Sequence, residues 1–454
     1  MTGEATSLAG RLRAGSWSQP SDVRSKPDLP CERDGLAADA TVRRIAGTFA
    51  TKLIAISLSV PFSVILARAL GPEGRGEFVA ATAVASLGMQ LGNLGLHSAN
   101  TFFVSRDAAL LSALSINSAI VGTVLGGLIA LLFYAVRASG LFLGDLDHTY
   151  FLIALIWIPV GLGQMLQHNL MAGLQRFAVF NKVDVGVRAG NLLLCSLLCV
   201  IGIASPVPYT LAVIVVLAAS YCFCLWYIER QRDRPARPRL DLLRRQLPYG
   251  LKTFVVSLFA FLVVRSDVMI LKHLSGSRET GVYSVAVSLV DMLYLLPTAV
   301  GVVLFPALSA PGTAEDRWRV VRAALLHTGW IIGAGVALLF IWGNPIIGLL
   351  FGRDFLGAYP MMVVLAVAML FYGLNNVVSV YLSATGLPWF GVWVWLLAFG
   401  VNLGLNLLWI PRFGGVGAAW ASLVSYAALF VLQFTYIISQ RAGEAPTELA
   451  GAEA

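Results

Sequence analysis

Between residues 45 and 440 the chain is built of long apolar runs separated by short polar connectors. Runs of about 20 apolar residues are what an α-helix needs to cross hydrocarbon. The pattern predicts spans at 45–67, 77–99, 112–136, 149–171, 184–204 and 208–228, followed by 248–271, 281–305, 321–343, 358–383, 389–410 and 416–438. The tract 345–351 is apolar but too short to span, and reads as a re-entrant piece, an interfacial piece or the start of the tenth helix. Residues 1–44 are polar, with no apolar core of a signal peptide, and read as a disordered cytoplasmic tail. Residues 441–454 form a short acidic tail. The fold class expected is all-α integral membrane, with about twelve transmembrane helices.

The pattern repeats. LARALGPEGRGEFVAATAV, from Leu66, resembles LKHLSGSRETGVYSVAVSL, from Leu271, at an offset of 205 residues. Each joins the first two spans of a six-span set, and each places a glycine and then an aromatic at the start of the next helix: Gly76 and Phe78, Gly281 and Tyr283. GLQRF at 173–177 answers GLPWF at 386–390, between the fourth and fifth spans of each set. Six is an even number, so the two sets share one orientation, as in parallel repeats related by an axis along the membrane normal. The expected organisation is a six-helix lobe over 45–228, a basic linker over 229–247 and a second six-helix lobe over 248–440.

Composition removes the soluble alternative. Hydrophobic residues make up 58% of the 454 positions and charged residues 12%, where a soluble domain carries about 25% charged. The net charge of +8 is a topology signal. With the N-terminus in the cytoplasm, 23 Lys and Arg fall on the cytoplasmic side and 7 outside, leaving Lys52 and Arg265 within spans. The densest run, RQRDRPARPRLDLLRR at 230–245, reads as a topology anchor that attracts anionic membrane lipids; nucleic acid is not an expected partner. The five cysteines have neither disulfide nor zinc context. Asp145 and Asp147 imitate a glycosyltransferase metal motif but fall in a short outer loop, so no catalytic or metal site is expected. Glycine pairs four apart, among them Gly88/Gly92, Gly122/Gly126, Gly186/Gly190, Gly329/Gly333 and Gly400/Gly404, allow helices to approach closely.

Three segments carry a family resemblance: LARALGPEGRG at 66–76 with NLGL at 93–96, RSDVMIL at 265–271 running into GVYSVA at 281–286, and PRFGGVGAAWAS at 411–422. In these the chain resembles the polysaccharide-exporter, or Wzx-type, flippase branch of the multidrug/oligosaccharidyl-lipid/polysaccharide (MOP) superfamily. The resemblance implies a V-shaped two-lobe fold, alternating access, and export of an oligosaccharide on undecaprenyl pyrophosphate across a bacterial plasma membrane, with both termini cytoplasmic. It further implies contact with polysaccharide polymerase or export machinery. No cofactor is expected, though transport coupled to H+ or Na+ fits the class.

An anionic headgroup inside a membrane needs cations for its phosphates, and amides, hydroxyls and aromatics for its sugars. Candidates for substrate binding are Arg265, Lys52, Arg68, Asn93, His97, Gln167, Asn375 and Asn376. Each has a plainer reading: Lys52 and Arg68 as snorkelling side chains, the amides as bridges between helices. Arg265 stands out because a guanidinium this far into a span cannot shed its charge. Asp267 points to another side of the same helix, whereas Asp291 lies mid-span on the next, so Asp291 is the better partner for it. Asp291 and Asp267 are the candidates for ion coupling, Arg265 alternating between Asp291 and substrate phosphate; a permanent pair that only fixes packing is the plainer reading. A cation-coupled multidrug exporter is the closest functional alternative, and it would place carboxylates in its cavity. A membrane polysaccharide polymerase or ligase would require a long outer catalytic loop, and no outer connector exceeds about 15 residues.

Overall fold

The computed structural model describes residues 32–140, 146–231, 237–309, 313–385 and 389–451, with the surroundings of most side chains between 51 and 440. The side chain of Lys52 and the repeat match at 386–388 lie outside the described residues. Helices α1 (Glu32–Asn93), α2 (Leu96–Arg106), α3 (Leu111–Ala138), α4 (His148–Gly173) and α5 (Phe177–Val200) are followed by α6 (Pro206–Gln231) and α7 (Leu240–Ser309). The chain continues through α8 (Ala314–Leu350), α9 (Ala358–Ala384) and α10 (Trp389–Gly451), with no strand among the described residues.

Helices α1, α7 and α10 run 62, 70 and 63 residues, far more than one crossing needs at about 1.5 Å per residue. Each breaks at one glycine in the left-handed region: Gly71 at φ +64°, Gly276 at +81° and Gly414 at +55°. Among the described residues nine helices are long and apolar enough to cross a membrane. Since α1, α7 and α10 each hold two expected spans, these nine accommodate all twelve. The structure differs from the hydropathy reading in detail. The connectors at 68–76 and 272–280 are helical apart from Gly71 and Gly276. At Gly71 the left-handed residue ends one helix and Pro72 opens the next, with its fixed φ and missing N–H suited to a first turn. The tract 345–351 completes α8 and its C-cap rather than forming a separate piece. Helix α1 begins at Glu32, inside the segment read as a tail.

The repeat is visible in the backbone. Gly71 (φ +64°, ψ −177°) and Gly276 (φ +81°, ψ −178°) sit 205 residues apart in nearly the same rare conformation. A Cβ on Gly76 would lie 1.8 Å from the carbonyl oxygen of Ser277, and a Cβ on Gly281 would lie 1.8 Å from that of Pro72. Adding 205 converts Pro72 into Ser277 and Gly76 into Gly281, so the two contacts are one contact seen twice. Such reciprocity is the signature of a two-fold axis passing between the repeats.

The described residues from 45 to 451 form one compact unit. One buried cluster joins α1 to α3 and α4 through Ala81, Ile129, Phe151 and Ile158; a larger one joins α7 to α8, α9 and α10 through Leu271, Tyr283, Leu339, Met362 and Ala418. Two of the glycine pairs are close helix contacts: Gly88 and Gly92 lie against Ile158 and Leu162, and Gly122 and Gly126 against the backbone of Gly163 and Pro159. Around Gly333, Gly400 and Gly404 no atom lies within 4 Å of an added Cβ. These three therefore do not serve close packing.

Candidate functional site

A cavity of about 490 Å³ lies between elements of both repeats, walled by α1, α5, α7 and α9. Its charged lining comprises Arg75, Arg188, Arg265 and Asp291. Ser59, Ser63 and Ser288 offer hydroxyls, and Phe62, Phe78, Tyr294 and Tyr372 offer rings.

Arg265 donates from its terminal nitrogen to Asp291 Oδ2 at 2.8 Å, and both side chains keep over a third of their surface exposed. The pair is therefore bonded yet reachable from the cavity. Arg188 donates to Ser59 Oγ at 2.8 Å and lies 3.6 Å from Asp184, one turn earlier on α5. Arg75 is 3% exposed. Its Nε donates to Ser284 Oγ at 2.7 Å, one terminal nitrogen to the Ser63 carbonyl at 2.6 Å, and the other to Ser63 Oγ at 2.9 Å and Ser288 Oγ at 3.0 Å. The guanidinium also sits 5.6 Å from the ring centre of Phe351. Among the described residues no carboxylate comes within ion-pair distance of it.

Arg75 and Arg188 are the functional candidates that hydropathy hides. Hydropathy makes both of them topology charges. The signal available in the sequence was weak: Ser59/Ser63 and Ser284/Ser288 are spaced four apart, so each pair shares a helix face.

Of the residues singled out from the sequence, the structure brings Arg265 and Asp291 together at the cavity. The others are placed elsewhere. Asp267 is 2% exposed and accepts a hydrogen bond from the Tyr283 hydroxyl, behind the cavity wall. Arg68 donates to the carbonyls of Leu349 and Leu350, closing the C-terminus of α8. Asn93 and His97 bond to each other within one turn, and Gln167 is buried and bridges α4 to Ser115 of α3. Asn375 is 2% exposed and donates to Ser379. Asn376 reaches the wall from behind, donating to the Tyr294 hydroxyl at 3.2 Å. Gln167 and Asn376 thus bridge helices, Asn93 and Asn375 bond four residues along the chain, and the Oδ1 atoms of Asn375 and Asn376 have no partner among the described residues. The assignment of Arg68 gives a test. Arg68→Ala should lower thermal stability by about 1 kcal/mol through loss of the helix-end bonds, leaving substrate affinity unchanged when measured on the purified protein.

A second polar cluster lies behind the cavity. Ser266 donates to Asn402 Oδ1 at 3.5 Å, and Asn406 donates to the same oxygen at 2.9 Å. Asn402 and Asn406 are fully buried, as is Ser422. Asn402 Nδ2 and Asn406 Oδ1 have no hydrogen-bond partner among the described residues. Ser422 and Tyr426, one turn apart on α10, stand close to Tyr283, whose hydroxyl holds Asp267.

Contacts between the repeats occur at both ends of the cavity. At the end bearing Gly71 and Gly276, the Gly76–Ser277 and Gly281–Pro72 contacts are joined by a buried pair in which Lys272 donates to Glu77 at 2.7 Å and Ser277 to the same oxygen at 2.6 Å. At the end bearing Gly95, that glycine lies on Gly250 (an added Cβ would be 2.1 Å from its carbonyl oxygen), Gln246 donates to Asn100 at 2.7 Å, and Asn117 exchanges two bonds with the backbone of Arg239.

The family model for polysaccharide biosynthesis proteins matches residues 42–310, and that for the lipid II flippase MurJ matches 200–450. The chain belongs to the polysaccharide biosynthesis protein family, within the MOP superfamily. Among curated relatives of this family member is the probable multidrug resistance protein NorM of Caulobacter vibrioides, 26% identical over 225 residues, covering 46% of this chain and 47% of that one. Another is the probable low-salt glycan biosynthesis flippase Agl15 of Haloferax volcanii, 22% identical over 226 residues, covering 49% and 48%. The chain thus spans about half the length of the curated relatives it matches. A solved multidrug resistance MATE family transporter of the MOP superfamily, inward-facing, shares the fold at a TM-score of 0.64 and 15% identity, over 88% of this chain and 96% of that one. These relatives and the solved neighbour carry the names of transporters or flippases.

Proposed function

We propose that the protein flips an oligosaccharide linked to undecaprenyl pyrophosphate across a bacterial plasma membrane, by alternating access and with both termini cytoplasmic. The carrying observation is the charge of the cavity, where three arginines face one aspartate. A pyrophosphate carries its charge into that cavity favourably, whereas a cationic drug would meet net repulsion. The serines and aromatic rings suit sugar hydroxyls and sugar faces. The multidrug reading, which the NorM relationship raises, requires the opposite charge. Deleting the gene tests the proposal: surface polysaccharide should be lost and lipid-linked repeat units should accumulate on the cytoplasmic leaflet. Unchanged polysaccharide with raised drug sensitivity would reverse it.

Ion coupling is assigned to the cluster of Asp267, Asn402, Asn406 and Ser422 behind the cavity. In this cluster one carboxylate, two amides and a hydroxyl lie buried together, and Asn406 Oδ1 has no donor among the described residues, so a proton or a hard monovalent cation has an oxygen to meet there. Asp291 remains with Arg265 and the substrate. The two carboxylates then separate by experiment. Asp267→Asn should retain binding of the lipid pyrophosphate but lose the dependence of transport on a Na+ or H+ gradient in vesicles. Transport by Asp267→Asn that still follows either gradient as in wild type would exclude this cluster.

A further inference from the structure

We propose that Arg75 is the residue through which an anionic headgroup releases the Gly71 end of the bundle. The inference rests on the flippase reading above and adds to it a specific coupling of headgroup binding to opening.

Arg75 sits on the cavity wall and ties the two repeats together. Ser63 belongs to the same repeat, before the break at Gly71, whereas Ser284 and Ser288 belong to α7, on the other side of the seam. Its hydrogen-bond partners are all neutral oxygens. A buried guanidinium held only by neutral acceptors is satisfied in geometry but uncompensated in charge. A phosphate reaching the cavity offers charged oxygens in a bidentate arrangement, a stronger partner than serine hydroxyls.

Release would cost the serines little. The Ser284 hydroxyl already donates to the Gly281 carbonyl at 2.7 Å, and that of Ser288 to the Ser284 carbonyl at 2.8 Å. Both therefore keep a bond within α7 when Arg75 leaves. Gly281 is the same residue that rests on Pro72 across the seam. When Arg75 turns to a phosphate, the polar ties directly beside the glycine contact disappear. What then holds this end is backbone packing, the bonds of Lys272 and Ser277 to Glu77, and those of Arg68 to the last carbonyls of α8. Headgroup binding and loosening of this end become a single event, because one guanidinium serves both.

The test uses the full chain in lipid nanodiscs, with undecaprenyl pyrophosphate as probe and undecaprenol, which lacks phosphate, as control. Native mass spectrometry counts bound lipid; hydrogen–deuterium exchange follows segments 66–78 and 271–285. In wild type the pyrophosphate lipid should bind and raise exchange in both segments about tenfold, the gain expected from losing one or two hydrogen bonds, and undecaprenol should not. Arg75→Gln should still bind the pyrophosphate lipid through Arg188 and Arg265, but show no lipid-induced rise. Ser284→Ala/Ser288→Ala, which keeps Arg75, should show raised exchange without lipid and little further change on adding it. Binding by wild type with unchanged exchange overturns the release role alone. A lipid-induced rise in Arg75→Gln equal to wild type does the same. Absence of pyrophosphate-lipid binding by wild type overturns both this inference and the flippase reading.

Discussion

Arg265→Ala should abolish transport while the protein still reaches the membrane at normal levels. The pair with Asp291 is the reason to expect both halves of that result. A deeply placed ion pair that only holds helices together would, on losing one partner, leave an unpaired charge at a cost of about 3–5 kcal/mol, enough to unfold many proteins. Here each partner keeps more than a third of its side-chain surface open to the cavity, so water can screen the orphaned Asp291 and the cost is smaller. Transport should nevertheless fall by roughly 10- to 150-fold from this contact alone, since a charge-assisted contact to phosphate contributes about 1.5–3 kcal/mol, and further through loss of the pairing with Asp291. Arg265→Lys, which keeps the charge and loses the planar fork, should retain part of the activity, at roughly a tenth of wild type. Asp291→Asn should also lose transport. Export assays alongside membrane protein levels decide the matter. If both single variants vanish from the membrane, and the double alanine variant restores level and transport together, the pair is structural.

What could be read from the sequence follows from the range of the interactions concerned. Span number and repeat are local in character. Long apolar runs report themselves, and Gly71 and Gly276 must be glycines because each holds a left-handed φ where the chain reverses. The pairing of Arg265 with Asp291 was accessible because two opposite charges deep in neighbouring spans have few other solutions. Arg75 was not accessible in this way. It lies three residues beyond the proline that opens its helix, so hydropathy places it in a connector, and its burial depends on serines more than 200 positions away. Asn93, Gln167 and Asn375 show the converse. A buried amide in a span looks the same in sequence whether it meets a ligand or a neighbouring side chain: Gln167 bonds across to α3, whereas Asn93 and Asn375 each bond a residue four positions along.

The repeat yields a second large effect. Gly76→Ala and Gly281→Ala should give the same phenotype, although they lie 205 residues apart. In the present arrangement the new methyl on either would stand 1.8 Å from a backbone carbonyl oxygen of the other repeat, where ordinary contact needs about 3.4 Å or more. Neither backbone can yield without the seam parting, so each variant should hold the Gly71 end open and reduce transport by about 100-fold or more. Two controls isolate the cause. Gly71→Ala meets nothing within 4 Å and suffers only its left-handed φ of +64°, a cost of about 1–2 kcal/mol, and the seam itself is untouched. Its transport should fall far less. Gly95→Ala would meet the Gly250 carbonyl oxygen at 2.1 Å and should open the opposite end instead. Hydrogen exchange of 66–78 and 271–285, compared with 93–103 and 246–254, separates the two outcomes. Gly76→Ala and Gly281→Ala should deprotect the first set and Gly95→Ala the second. Wild-type transport and protection in Gly76→Ala would mean that the seam is not part of the transport cycle, and the two-fold contact would then be a feature of folding alone.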